Sequence, residues 1–130
     1  MLYHKEQVLA SVNPERIISI ADDGNQCTIV WFPPQHVITQ ESPEVLFAKF
    51  GNFSSAFARF TRPDMSRVWV KVTAITDVRA PTPGQFAPGV NAVLYMGADH
   101  QGIREDIQAT NARIGQQKLL FAQHVEGSVP

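Results

Sequence analysis

Cysteine is all but missing from this sequence: its 130 residues contain one, Cys27. A lone thiol excludes an internal disulfide framework and any zinc site built on several cysteines. It also makes a reducing compartment, the cytoplasm, the expected location. Charge is scarce as well. Only 18% of residues are Asp, Glu, Lys or Arg, and their sum is −1, so the chain as a whole is no magnet for polyanions. No apolar run approaches the roughly 20 residues that a membrane-spanning helix needs. The opening residues MLYHKEQVLASV are too polar for a signal-peptide core, so no membrane partner is expected. The four histidines (His4, His36, His100, His124) form no His-x-His or His-x-x-x-His pair. With no Gly-x-Ser-x-Gly and no phosphate-cradling glycine loop either, neither a metal nor a cofactor is expected.

What is present suits one domain over residues 1–130: 44% hydrophobic residues and a mean hydropathy of −0.12. Val12–Ile20 turns at Asn-Pro and then extends. Asp22-Asp23-Gly24-Asn25 is turn chemistry, and Cys27–Phe32 (CTIVWF) reads as a buried strand closed by two prolines, which together predict a hairpin. Gln35–Gln40 extends again. Ser42 then reads as the cap, and Pro43 as the first residue, of a helix reaching Phe50, with Gly51-Asn52 as its stop. Phe53, Ala56, Phe57 and Phe60 continue at helical spacing, although the same letters also fit an aromatic strand.

Arg67–Val78 alternates like one strand, Ala80–Gly89 is a proline-rich connection, and Asn91–Met96 is a second buried strand. Gly97–Gly102 reads as a turn. A helix with its stripe at Ile103, Ile107, Thr110 and Ile114 follows, stopped by Gly115. Lys118–Val125 fits either a helix or a strand, and 126–130 a frayed tail. The expected class is α+β and β-rich, a mixed or antiparallel sheet or a partial barrel, with helices near 43–60 and 103–114. Ile29, Val30, Val93 and Leu94 are its expected core.

The two halves echo each other over 12–60 and 68–115. Thr28–Phe32 lies on Ala92–Met96, His36 on His100 and Glu41 on Glu105, and a helix follows both times, a strand–strand–helix duplication. The runs Val12–Ile20 (VNPERIISI) and Glu41–Leu46 (ESPEVL) resemble small bacterial FlbD-type flagellar and swarming-motility proteins. That resemblance covers about a third of the chain and implies a short β-rich unit with a terminal helix and no catalytic site. It has no diagnostic motif and carries over no functional residue. The second half departs from it, lacking the Asn-Pro and adding the proline-rich loop.

Two constellations carry chemistry. Asp99-His100 is the only adjacent acid–imidazole pair, so His100 is the candidate general base, with Glu105 or His36 nearby. Set against this, Asp99 in a turn would simply cap the following helix. Residues 49–79 carry +4 against −5 elsewhere, and five of the eight phenylalanines lie between residues 47 and 60. Arg59, Arg62, Arg67 and Lys71 with Trp69 therefore form a candidate single-stranded nucleic-acid surface, phosphate neutralisation combined with stacking. The plainer reading makes the phenylalanines core and the basic residues a solvated face. The sequence favours a small soluble bacterial protein, not an enzyme, acting through protein–protein contacts as a homodimer. A nucleic-acid-binding regulator is the alternative, and a small-molecule pocket near residues 80–89 the second alternative.

Overall fold

A computed structural model describes residues 2–3, 10–11, 16–24, 27–32, 35–97 and 99–127. In chain order the elements are β1 (Leu2–Tyr3), β2 (Ala10–Ser11), β3 (Ser19–Asp22), β4 (Cys27–Phe32), β5 (Gln35–Thr39) and α1 (Pro43–Phe50). There follow β6 (Phe57–Thr61), β7 (Arg67–Lys71), β8 (Asp77–Arg79), β9 (Ala92–Met96), β10 (Asp99–Ile103) and α2 (Ile107–Gly127). The fold is α+β with every strand pair antiparallel: a five-stranded sheet β5-β4-β3-β7-β6, a three-stranded sheet β10-β9-β8, and the β1-β2 pair. Among the described residues neither a mixed sheet nor a closed barrel forms.

Alternation decides which side each strand buries. On β6 and β7, Ala58, Phe60, Val68 and Val70 are buried and meet Ala92, Leu94, Met96 and Ile103 of the smaller sheet in one core. Behind the larger sheet, Ile17, Ile20 and Phe57 pack with Leu46 and Phe50 of α1 in a second core. The helix α2 serves both: Ile107 and Ile114 join the inter-sheet core, and Phe121 joins the one around α1. Val93 and Leu94 are fully buried as expected; the side chains of Ile29 and Val30 lie outside the described residues.

Several boundaries differ from the expectation. The first helix stops at Phe50, as expected from Gly51, whose backbone turns to φ +60°, but no second helix carries it towards residue 60: a 3-10 turn over Gly51–Ala56 leads into β6. Arg67–Val78 is not one strand. A 3-10 turn at Val72–Ala74 divides it, so that β7 pairs with β3 and β6 while β8 crosses to pair with β9. Asp99–Gly102, expected as a turn, is strand, and Ile103 ends it rather than opening a helix. The true helix starts at Ile107, capped by Asp106, whose carboxylate accepts the Ala109 N–H at 2.7 Å. It runs through Gly115, and the inward side of α2 continues as the half-buried Gln117 and Phe121. A mid-helix glycine costs only about 1 kcal/mol relative to alanine. Lys118–Val125 is therefore helical, as are Glu126 and Gly127 of the expected tail; 128–130 lie outside the described residues.

Two stretches of the chain share an order of elements. β3-β4-β5-α1 and β8-β9-β10-α2 are the same antiparallel meander followed by a helix. Ser42 caps α1 by accepting the Val45 N–H at 3.2 Å, as Asp106 does for α2. One turn on, Leu46 and Thr110 are each fully buried, and Phe50 and Ile114 follow at 7% and 8% exposure. Even the ion pair recurs: Lys49 reaches back to Glu41 at 2.6 Å and Arg113 to Glu105 at 3.3 Å. One detail of the sequence alignment is corrected. Val30 pairs with Ser19 and His36, as Tyr95 pairs with Asp77 and His100, so Val30 corresponds to Tyr95 and not to Leu94. The shift arises at a β-bulge between Val30 and Phe32, which leaves Trp31 as the extra residue.

Candidate functional site

Where the inner faces of the two sheets part, a cleft of about 340 Å³ opens. Its floor is apolar, formed by Ala21 of β3, Val68 of β7 and Met96 of β9; Ala21 and Val68 are cross-strand partners. Its polar lining comes from four places in the chain: Ser19 on β3, Asp23 just past it, Arg62 beyond β6, and Asp99, His100 and Gln101 on β10. The volume lies at the low end of the range of small-molecule sites, and the lining is more polar than is usual for them.

Arg62 is the best braced of these groups. Its turn is closed by Arg62 N–H donating to Ser66 O and Met65 N–H donating to Arg62 O, both at 2.9 Å, with Met65 at φ 72°. The guanidinium Nε donates to Ser66 Oγ at 2.7 Å, and Nη2 lies 3.8 Å from Asp64. Bonds from the Ser66 hydroxyl and N–H hold the Asp64 carboxyl below its ordinary range. The turn thus presents one oriented cation at the mouth of the cleft.

Asp99 and His100 do not form a dyad. The Asp99 carboxylate accepts the main-chain N–H of His100 at 2.9 Å. As neighbours on a strand, the two side chains leave opposite faces. The imidazole lies edge-on to Phe86, with ring centres 5.7 Å apart, and near Tyr95 at 6.0 Å. Glu105, the carboxylate expected near it, instead accepts from Thr61 and Arg113; the His36 side chain lies outside the described residues. The proline-rich loop packs on that outer side too, where a Cβ on Gly102 would come within 3.0 Å of Val90 and 3.6 Å of Phe86. No residue of 80–89 lines the cleft, so it is not the pocket expected near that loop.

The basic–aromatic group is divided. Arg59, Arg67, Trp69 and Lys71 share one face, since Arg59 pairs with Trp69 across β6 and β7. That face is the one α1 covers. Trp69 packs with its ring centre 5.4 Å from that of Phe47, and its neighbours Phe50 and Phe57 are core. Arg67 is engaged by Asp22 at 2.6 Å and Glu44 at 3.4 Å, and its guanidinium stacks 5.0 Å from the Trp69 ring. Arg62 stands apart at the cleft. Ser19, Asp23 and Gln101 had no local sequence signal; only the facing of the two sheets gathers them.

Cys27 is 1% exposed, and burial pushes its thiol up to about 11, which makes it a core group and not a nucleophile. No group of three or more metal-ligating side chains occurs among the described residues, and none of their helices is long and apolar enough to cross a membrane. No family model, curated protein or solved structure matches this chain.

Proposed function

We propose that the chain is a binding module whose inter-sheet cleft takes a small zwitterion, with the anionic group at Arg62 and the ammonium facing Asp23 and Asp99. One observation carries this reading: groups of both charges, from separate segments, line a single cavity of about 340 Å³. An α-amino acid fits both the volume and the charges, with Gln101 and Ser19 left to hydrogen-bond its remainder. Binding, rather than proton transfer, is supported by the Asp99 carboxylate being used on a main-chain N–H instead of on the imidazole. A thermal-shift screen of free L-amino acids tests it. At least one should raise Tm in a saturable way, and Arg62→Met should abolish the rise without lowering the unliganded Tm by more than a few degrees. A flat panel on the wild-type protein sinks the proposal.

A second reading, self-association of a cytoplasmic regulatory module, is favoured by Leu119 and Leu120, which stand 67% and 46% exposed side by side on α2. Sedimentation of the wild type and of the Leu119→Glu/Leu120→Glu variant tests it. A monomer at high micromolar concentration in both cases counts against it.

A further inference from the structure

The two units differ in how their linking carboxylates, Glu41 and Glu105, are partnered. In the second unit, the Glu105 carboxylate accepts the Thr61 N–H at 2.9 and 3.1 Å and the Thr61 hydroxyl at 3.0 Å, while Arg104 N–H donates to Thr61 O at 2.8 Å. The end of a strand is thereby gripped by the link between β10 and α2. Glu41 occupies the same place between β5 and α1, with the same cation position behind it, Lys49 on Oε1. Its other oxygen, Oε2, is buried and has no hydrogen-bond partner among the described residues. A buried carboxylate oxygen without a donor costs free energy, and native structures rarely leave one so.

We propose that the β5–α1 link is a docking site for the end of an extended peptide segment bearing threonine or serine, held as Glu105 holds Thr61. The segment's N–H and hydroxyl donate to Glu41, and its carbonyl accepts from Gln40 N–H, the counterpart of Arg104 N–H. The second unit specifies the occupant's chemistry, because there the carboxylate's strand partner is one residue of β strand supplying two donors at once. The recognition mode is strand addition, main-chain pairing for affinity with one side chain for selectivity. Gln40 is exposed and Glu41 is half-buried.

The probe is a fluorescent peptide with the sequence of residues 57–62, FARFTR, titrated into the full chain by fluorescence polarisation. Saturable binding is expected. The Thr61→Val peptide should bind about tenfold or more weakly, the equivalent of one lost charge-assisted hydrogen bond. The Glu41→Gln protein, checked for an unchanged circular dichroism spectrum, should lose binding to a similar extent, and Asp99→Asn in the cleft should not. The two peptides are compared on the wild-type protein, so the proposal stands or falls even if Glu41→Gln folds poorly. No saturable binding up to millimolar protein overturns it. Equal binding of the two peptides, persistence in Glu41→Gln, or loss in Asp99→Asn overturns it as well.

Discussion

Replacing Thr110 with valine should stabilise this protein. Thr110 is fully buried in the first turn of α2, and its hydroxyl has no hydrogen-bond partner among the described residues. An unpaired hydroxyl in a protein interior costs about 1–3 kcal/mol on mutational scales. Valine exchanges it for a methyl group of nearly the same size, and both residues are β-branched with similar helix propensity, so the backbone terms cancel. The net gain expected is about 1 kcal/mol, read as a rise in Tm of about 3–6 °C for a domain of this length. The first unit supplies the control, since Leu46 fills the same place there and is also fully buried. Leu46→Thr should lose about 2–4 kcal/mol through a lost aliphatic group and a newly buried hydroxyl. Thermal and urea unfolding followed by circular dichroism measures both variants. A Tm for Thr110→Val at or below that of the wild type would mean that the hydroxyl is bonded after all, and would refute the reasoning.

Acid should weaken the larger sheet through Asp22. Burial pushes its carboxyl up, but the Gly24 N–H and the Arg67 guanidinium outweigh that and hold it below its ordinary 3.8. The pair therefore contributes stability above that value and loses it as pH falls through the depressed one. Urea midpoints should drop from about pH 5 downward, and Asp22→Asn should flatten that drop. A variant with the wild-type acid profile counts against the assignment. Cys27, with its thiol raised to about 11 and 1% exposed, should resist a disulfide reagent in the native state and react at once in denaturant; fast native labelling contradicts its placement. Gly102→Val should cost about 1–3 kcal/mol by driving a side chain into Val90, at 3.0 Å from the first added carbon, and should raise hydrogen exchange in the proline-rich loop. Unchanged stability would mean that the loop does not pack there.

Local signals made some of this fold readable. Cys27–Phe32 and Ala92–Met96 are short apolar runs rich in β-branched or aromatic residues, and both are strands. Ser42-Pro43 marked the start of α1 because capping chemistry is local. By contrast, Asp99–Ile103 (DHQGI) has the composition of a turn, and only its ladder to β9 makes it a strand. The spacing of Phe53, Ala56, Phe57 and Phe60 suited a helix equally well, and Gly51 at φ +60° decided against it. The repeat was visible as Glu41 on Glu105, but a bulge cannot be seen in an ungapped match, so the strand alignment slipped by one residue. Of the cleft, Arg62, Asp99 and His100 had each been singled out for unrelated reasons. Their convergence depends on how two sheets face each other, which no pattern along the chain encodes.

The cleft is tested most directly by backbone amide NMR of the full chain during titration with the amino acid that gives the largest thermal shift. Saturable shifts should cluster at Ser19, Asp23, Arg62 and Asp99–Gln101, stay small in the proline-rich loop, and vanish in Arg62→Met. Shifts spread over the surface, or confined to α2 or the β5–α1 link, would contradict a ligand site between the sheets.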